Sequence, residues 1–186
     1  NDALEASEKK DQESQSRIKD LGARLNAALA RQVQELQRYR SDFFGRLREL
    51  LKNRKDIRVV GDRFVFESEV LFPSGSDQLT PEGLAAMDQL ASAIIELERQ
   101  IPKEIDWALQ VDGHTDIRPI SSPTFPSNWE LSTARAIAVV RYLIKRGVSP
   151  ERLVAAGHGE FQPLELGKDE QSLQRNRRIE LKLTNK

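Results

Sequence analysis

The sequence predicts an α/β fold: a β/α sandwich with a mixed sheet and two main helices, preceded by a long N-terminal helix. Two observations predict it. All eight prolines and eight of the ten glycines lie beyond residue 56, which separates a helical arm, residues 1–56, from a compact domain, residues 57–186. Within the domain, short β-rich runs alternate with two long helical segments, a pattern typical of helices that cover one face of a mixed sheet.

The apolar residues of the arm recur every three or four positions, which indicates one stripe along an amphipathic helix. They are Ile18, Leu21, Leu25, Leu29, Val33, Leu36, Tyr39, Phe43, Leu47 and Leu50. Two interpretations of the stripe stay open. The helix packs on its own domain, or it forms a coiled coil with a second copy and so makes a homodimer.

The domain begins with a hairpin signal. Residues 57–60 and 63–66 are β-rich runs around Gly61-Asp62, a dipeptide that favours a tight turn. Thr80 followed by Pro81 then has the pattern of a capping residue and the first position of a helix. These signals predict two strands and the first domain helix.

The sequence of the second half of the domain predicts three more strands and one helix. Residues 105–111 have the pattern of a strand, and a loop containing Pro and Ser runs to residue 127. Residues 131–146 follow as a helix, and residues 153–156 as a strand. In residues 178–183, apolar and charged side chains alternate, as in a strand with two different faces.

The composition excludes several classes of function. The 29 Lys and Arg residues balance the 29 Asp and Glu residues, and this neutrality argues against nucleic acid as a partner. The absence of Cys excludes disulfide scaffolds, thiolate metal sites and Cys nucleophiles. The sequence starts with Asn1, without a leader or a run of ~18 apolar residues. We interpret it as an excised fragment and expect any membrane segment upstream of Asn1.

Polar residues lie in three segments that an α/β fold brings to one edge of its sheet: residues 112–116, 128–135 and 175–178. Asp116 is suited to hold an ammonium group, and Arg135 to bind a carboxylate through its planar guanidinium. Together they would clamp a zwitterion. The alternative is that the two side chains pair with each other or cap backbone groups.

The sequence contains the residue types that a metal site or a hydrolase active site needs. The spacing of these residues, however, predicts neither kind of site. The metal-ligand candidates are Asp112, His114, Asp116, His158 and Glu160. They include no HExxH motif, and each His is predicted in a Gly-flanked turn after a strand. A triad of Ser132, His114 and Asp112 would lack the Gly-x-Ser-x-Gly elbow. We therefore predict no metal, no cofactor and no enzymatic activity.

Four motifs in order make the domain resemble a known family. They are VDGHTD at 111–116, SNWELSTARA at 127–136, GHGE at 157–160 and RNRRIE at 175–180. These motifs resemble the OmpA-like peptidoglycan-binding domain. The string FPSNWELS at 125–132 is most similar to the MotB branch, the flagellar stator subunit. The resemblance covers residues 57–184, and residues 164–174 depart from the pattern of the family.

The resemblance implies noncovalent binding of the peptide stem of peptidoglycan through its diaminopimelate residue. By matching motifs, Asp116 would contact the diaminopimelate amine and Arg135 its carboxylate. The supporting positions would be Thr115, Asn128, Leu131 and Arg177, with residues 72–76 as another wall of the site. Arg178 is expected to form a structural ion pair within the sheet.

The MotB-like resemblance also implies a place in the cell. The domain would be periplasmic and attached to the inner membrane through a transmembrane segment upstream of Asn1, where it would join a membrane partner subunit. It would anchor the stator of an ion-driven motor to the cell wall. Two alternatives stay open: a stator-like complex outside the flagellum, and an envelope-tethering protein of the Pal type.

Overall fold

The computed structural model describes residues 2–51, 57–103 and 105–185. Contacts within the chain divide it into two units, Asn1–Tyr39 and Arg40–Lys186. The boundary predicted after residue 56 falls on residues outside the described ranges, so it stays a prediction.

The N-terminal helix predicted from the apolar stripe is present as α1 (Asp2–Leu51). In the first unit, the large apolar side chains of the stripe are 49–68% exposed: Ile18, Leu21, Leu25, Leu29 and Val33. The side chains of Phe43, Leu47 and Leu50 lie outside the described part. Across the described ranges, no helix combines the length and apolarity needed to span a membrane.

The second unit contains a five-stranded mixed sheet with the strand order β1-β2-β5-β3-β4. Its strands are β1 (Ile57–Val60), β2 (Arg63–Glu67), β3 (Trp107–His114), β4 (Leu153–Gly157) and β5 (Arg178–Asn185). Neighbouring strands are antiparallel except for β3 and β4, which are parallel. The predicted α/β class with a mixed sheet is confirmed.

The predicted hairpin is confirmed by the antiparallel pairing of β1 with β2, in which Val60 lies opposite Arg63. Gly61 takes a φ of 61° in the turn, a backbone conformation that costs glycine little. Phe64 and Phe66 of β2 are fully buried, because they lie on the face of the sheet that the helices cover.

The unit also contains two long helices, α3 (Pro81–Gln100) and α4 (Asn128–Lys145), two short ones, α2 (Ser68–Leu71) and α5 (Glu170–Asn176), and the end of α1 from residue 40. Thr80 caps α3 as predicted, since its side chain accepts a hydrogen bond from the Gly83 backbone N–H. Helix α4 packs on β3 and β4 and forms the connection between these parallel strands.

Helix α4 begins three residues earlier than predicted. Ser127 is its capping residue and accepts a hydrogen bond from the Trp129 backbone N–H, while the Ser127 hydroxyl also bonds the Glu130 carboxylate. This arrangement is similar to a capping box, which marks a helix start before the first apolar residue of the buried stripe.

Strand β3 runs from Trp107 to His114 rather than over residues 105–111. Gly113 pairs with Gly157 on one side and with Ile179 on the other, so the ladder continues past the Asp-Gly dipeptide that usually indicates a turn. The prediction that His114 lies in a turn is therefore wrong. His114 is the last residue of the strand and is buried, whereas His158 does follow β4 directly.

Candidate functional site

A polar cleft of about 400 Å³ lies where β3 ends and α4 begins. All six residues predicted as ligand-binding line it: Thr115, Asp116, Asn128, Leu131, Arg135 and Arg177. The loop after α2 contributes Phe72, Ser74 and Gly75, so the predicted wall formed by residues 72–76 lies at the same cleft. Four segments that are distant in sequence thus converge on one site.

Asp116 is 5% exposed and accepts four hydrogen bonds. Its Oδ1 accepts the Arg118 backbone N–H at 2.8 Å. Its Oδ2 accepts Arg118 Nε at 3.0 Å, Arg118 Nη2 at 2.7 Å and one N–H of Arg177. Burial alone would raise the pKa of Asp116, but these hydrogen bonds outweigh burial and hold the pKa below its ordinary value. Asp116 is therefore a carboxylate at neutral pH.

Arg135 is 4% exposed and donates to protein oxygens through three of its five N–H groups. Its Nε donates to the Ser76 carbonyl at 2.8 Å, Nη1 to Ser68 Oγ at 2.9 Å and Nη2 to the Pro73 carbonyl at 3.2 Å. Burial, assisted by the positive charge of Arg177, lowers the pKa of Arg135 to about 10. The guanidinium stays charged at neutral pH, and two of its N–H groups have no acceptor among the described residues.

Of the alternative interpretation, the pairing of Asp116 with Arg135 is wrong for the described residues, whereas the contacts with backbone groups are present for both side chains. Asp116 forms its ion pairs with Arg118 and Arg177, and Arg135 forms none there. Instead, Arg135 is held by backbone carbonyls and lies 5.2 Å from the centre of the Phe72 ring.

Arg177 connects the negative charges of the cleft. It donates to Asp116 Oδ2, to Glu69 Oε1 and to Glu170 Oε1, the last at 2.9 Å. Burial alone would lower the pKa of Arg177, but hydrogen bonds to three carboxylates raise it above its ordinary value. Arg177 therefore acts as a fixed counter-charge that positions Asp116.

Three other predicted residues shape the cleft. Asn128 Nδ2 donates to the Arg118 carbonyl at 3.0 Å and ties the loop after β3 to the first turn of α4. Leu131 is buried and supplies an apolar wall. The Thr115 backbone N–H donates to the Gly159 carbonyl, whereas Thr115 Oγ1 is buried with no partner in the described structure. That hydroxyl is a polar group available to a ligand.

Arg118, Glu69 and Glu170 also line the cleft, although none of them was predicted as a site residue. Glu170 lies in α5, within the segment that departs from the family pattern, and accepts a hydrogen bond from Arg118 Nη1 at 3.2 Å. A signal for α5 was present, because Asp169 caps the helix by accepting from the Ser172 backbone N–H. Arg118 follows Asp116 by two residues, a spacing that suits a local side-chain contact.

The candidate metal ligands do not form a metal site in the described ranges, which hold no suitable group of three or more His, Asp or Glu side chains. Asp112 and His158 do meet, with 3.2 Å between Oδ1 and Nε2, and the His158 ring stacks on His114. However, Asp112 also accepts from Gln110 at 2.6 Å and lies 3.1 Å from Lys182 Nζ. These contacts form a polar cluster on the side of the sheet opposite α4.

His114 lies in this cluster near Arg178 and Glu180. Arg178 Nε donates to Glu180 Oε1 at 2.6 Å, which confirms the structural ion pair predicted for Arg178. Burial, together with the charge of Arg178, lowers the pKa of His114 to about 3. His114 is therefore neutral at physiological pH.

The structure does not bring Ser132, His114 and Asp112 together as a catalytic triad. Ser132 donates to the Trp129 carbonyl and accepts from the Gly159 backbone N–H. Both ring nitrogens of His114 lack a hydrogen-bond partner in the described structure, so His114 does not contact the Ser132 hydroxyl. Ser132 instead joins α4 to the segment after β4.

The fold and the cleft define a binding domain: an α/β sandwich that presents paired charges, a buried guanidinium and an apolar wall to a small polar ligand. A sequence model described as the OmpA family matches residues 71–177, more than half of the chain, and the chain belongs to that family. The OmpA family is a non-catalytic peptidoglycan-binding domain of the periplasmic cell envelope. The predicted family and the predicted absence of enzymatic activity are thereby confirmed.

Known proteins with different names share this domain. The chain is 38% identical over 111 residues to the peptidoglycan-associated lipoprotein of Pseudomonas aeruginosa, covering 60% of this chain and 59% of that protein. Among solved structures, a MotB-like protein from Desulfovibrio vulgaris is similar with a TM-score of 0.70 and 28% identity over 83% of this chain and 99% of that one. The cell wall anchor of the T6SS from Pseudomonas aeruginosa is similar with a TM-score of 0.64 and 27% identity. That similarity covers 75% of this chain and 97% of the anchor's chain. The chain spans about half the length of the curated relatives that it matches.

Proposed function

We propose that this chain is the wall-binding part of a MotB-like stator, which anchors a membrane protein complex by binding the diaminopimelate-containing stem peptide of peptidoglycan. The observation that carries the proposal is the state of Arg135 in the cleft. Arg135 is a buried guanidinium with two N–H groups that no described acceptor uses, in a cleft that Asp116 also lines.

The chemistry of diaminopimelate suits this pair of charges. The end of its side chain carries both an ammonium and a carboxylate group. Arg135 has one N–H on Nη1 and one on Nη2 that no described acceptor uses. A guanidinium that offers two N–H groups to the two oxygens of a carboxylate makes a strong and directional contact. Asp116 is the acceptor for the ammonium group. The supporting contacts come from Thr115, Asn128, Leu131 and Arg177, which line the same cleft.

The similarity to the Desulfovibrio vulgaris MotB-like protein supports the stator assignment. It covers 83% of this chain, about 154 of the 186 residues, and so extends beyond the 130 residues predicted as the domain. In this proposal the domain lies in the periplasm. A transmembrane segment upstream of Asn1 attaches it to the inner membrane, where it joins a partner subunit of the motor.

A second candidate keeps wall binding and changes the complex that is anchored. It is supported by the similarity to the T6SS cell wall anchor, at 27% identity, and to the peptidoglycan-associated lipoprotein, at 38%, compared with 28% for the MotB-like protein. The sequence upstream of Asn1 distinguishes the candidates. An apolar span with an internal Asp indicates an ion-driven stator, flagellar or not, and a lipoprotein leader indicates an envelope tether.

The proposal includes a homodimer joined by α1, residues 1–56 acting as the arm and residues 57–186 as the binding domain. The exposed apolar stripe of α1 supports it, because a helix that stays amphipathic over several turns gains stability by covering that stripe. Two domains on one dimer would bind neighbouring stem peptides, and effective concentration would raise the avidity of two weak sites.

Co-sedimentation with purified sacculi tests the binding function. We expect the chain to sediment with diaminopimelate-type sacculi and far less with lysine-type sacculi, whose stem peptides lack the carboxylate that Arg135 would bind. Asp116→Ala should abolish binding. Arg135→Lys keeps the charge but loses the paired N–H groups, so binding should weaken at least about tenfold.

The matched control is Arg141→Lys, which changes an exposed arginine of the same helix. Circular dichroism confirms that each variant is folded. If folded Asp116→Ala still binds sacculi, the proposed role of Asp116 is wrong. If the folded wild-type chain binds neither kind of sacculi, the proposed wall binding itself is wrong.

A further inference from the structure

One oxygen of Asp116, Oδ2, has no acceptor position left for a ligand in this structure. A carboxylate oxygen offers about two lone-pair sites, and Oδ2 accepts three hydrogen bonds, from Arg118 Nε, Arg118 Nη2 and Arg177. The other oxygen, Oδ1, accepts only the Arg118 backbone N–H. A ligand ammonium group can therefore reach Oδ2, where the two guanidinium groups converge, only if a protein donor leaves.

The two arginines that hold Asp116 differ in how firmly they are fixed. The Arg177 side chain is 15% exposed and is held by three carboxylates. The Arg118 side chain is 53% exposed and lies on the loop after β3. Arg118 is the more exposed of the two and can return to water when it leaves Asp116, so it is the donor that a ligand can displace.

We propose that Arg118 is an internal competitor, whose guanidinium occupies the position on Asp116 that the ligand ammonium takes. This inference rests on the proposed function of the cleft. Glu170 lies 3.2 Å from Arg118 Nη1 and offers the displaced side chain another carboxylate at the cleft. The loop after β3 therefore controls how strongly the site binds amines.

This competition makes the site selective for zwitterions. Arg135 is not engaged by any described carboxylate, so a ligand carboxylate binds it without displacing a protein charge. A simple amine must displace Arg118 and gains no contact with Arg135 in return. Only a ligand that carries both groups, as diaminopimelate does, compensates for the displacement with a second contact.

Removing Arg118 should tighten binding of an amine-bearing ligand. We expect Arg118→Gln to bind the L-Ala–γ-D-Glu–diaminopimelate tripeptide about three- to fivefold more tightly than wild type, in isothermal titration calorimetry. The same peptide with its diaminopimelate side-chain amine acetylated should bind both proteins equally. The matched control, Arg146→Gln, removes a half-exposed arginine that pairs with Asp88 at 2.8 Å outside the cleft and should bind like wild type.

The outcomes separate this inference from the proposed function. If wild type binds the free tripeptide and folded Arg118→Gln binds it equally or more weakly, the competitor role is overturned and wall binding stands. An equal gain for the free and the acetylated peptide also overturns it, because the gain would not come from the amine. If folded wild type and Arg118→Gln bind neither peptide, the proposed function fails and the inference fails with it.

Discussion

At the level of single residues, the cleft has equal numbers of acidic and basic side chains, but not every basic side chain forms an ion pair. Three acidic and three basic side chains line it: Glu69, Asp116, Glu170, Arg118, Arg135 and Arg177. Arg118 and Arg177 hold all three carboxylates, which leaves Arg135 without one among the described residues. Because folding has already removed Arg135 from water, a ligand carboxylate bound as proposed would meet a desolvated charge, which favours a strong contact.

The buried neutral His114 predicts a pH dependence of stability. Its pKa is about 3 in the folded chain and near 6.5 in the unfolded chain, so between these values the unfolded state binds more protons and stability falls as pH falls. From pH 7.5 to 5.5 the free energy of unfolding of wild type should fall about 1.4 kcal/mol more than that of His114→Phe. Urea denaturation at the two pH values measures the difference.

Asp112, Glu180 and Arg178, three of the charged groups that face His114, support this sign. The pKa values of Asp112 and Glu180 are lowered because hydrogen bonds and nearby positive charges outweigh the effect of burial, so both stay ionised from pH 5.5 to 7.5. Arg178 keeps its positive charge across this range. A control comparison between pH 7.5 and 8.5 should show no difference between the two proteins. Parallel loss of stability in wild type and His114→Phe at pH 5.5 would contradict the prediction.

The sequence allowed Asp116 and Arg135 to be predicted from their residue types and places at element ends, and the structure brings both to one cleft. It did not show that Arg118 would lie on Asp116, since that contact depends on the path of the loop after β3. It also did not show that the acceptors for Arg135 would be the carbonyls of Pro73 and Ser76, because backbone groups carry no signal in a sequence.

At the level of elements, two glycines set the distance between α4 and the sheet. Gly113 of β3 and Gly157 of β4 lie opposite each other in the parallel pair. A Cβ on Gly113 would lie 2.1 Å from the Ser132 carbonyl oxygen, and a Cβ on Gly157 2.1 Å from Thr133 Oγ1. Their missing side chains let the second turn of α4 contact the strands directly, which places Arg135 beside the end of β3.

Gly113→Ala should therefore destabilise the domain. The contact is with helix backbone, which cannot rotate away, so α4 must shift; we expect a loss of about 3 kcal/mol in the free energy of unfolding. Binding to sacculi should weaken too, because α4 carries Asn128, Leu131 and Arg135. Urea denaturation and co-sedimentation measure the two effects.

Gly22→Ala is the matched control, because a Cβ there meets nothing within 4 Å and the residue lies inside a helix. It should leave the domain unchanged and favour α1 by up to about 1 kcal/mol. If Gly113→Ala were as stable as wild type, the close approach of α4 would not depend on this glycine.

Elements with periodic patterns were predictable and short ones were not. The hairpin and the two long helices follow from alternation, capping residues and apolar stripes. Helices α2 and α5 have four and seven residues, too few for a helical period to stand out. The last three residues of β3 were missed, because a central strand continues through Asp-Gly when both neighbours supply hydrogen-bond partners.

At the level of the whole molecule, the arm should determine the oligomeric state. In sedimentation equilibrium we expect the wild-type chain to form a dimer that dissociates on dilution, and the double variant Leu25→Asp, Leu29→Asp to be a monomer, since it places charges in the apolar stripe. The control variant Ala23→Asp, Ala27→Asp carries the same charges on the other face of α1 and should remain a dimer. A monomeric wild-type chain at high concentration would contradict the coiled coil.

The order of strands in the sheet was the part of the fold that local patterns could not supply. Pairing joins β2 with β5, which begin more than a hundred residues apart, and only the packed sheet determines that choice. The resemblance to the OmpA family supplied the fold as a whole, whereas the residues themselves indicated only the class.

The position of β5 also determines when the domain can form. As a chain is synthesised or secreted from its N-terminus, the β1–β2 hairpin and the β3–α4–β4 unit emerge first, and β5 is the strand that joins them. Until residues 178–185 arrive, β2 and β3 each have an unpaired side, and the apolar face has no complete sheet to cover it. The complete sheet, and with it the cleft that the neighbouring Arg177 lines, can therefore form only once residues 178–185 are available.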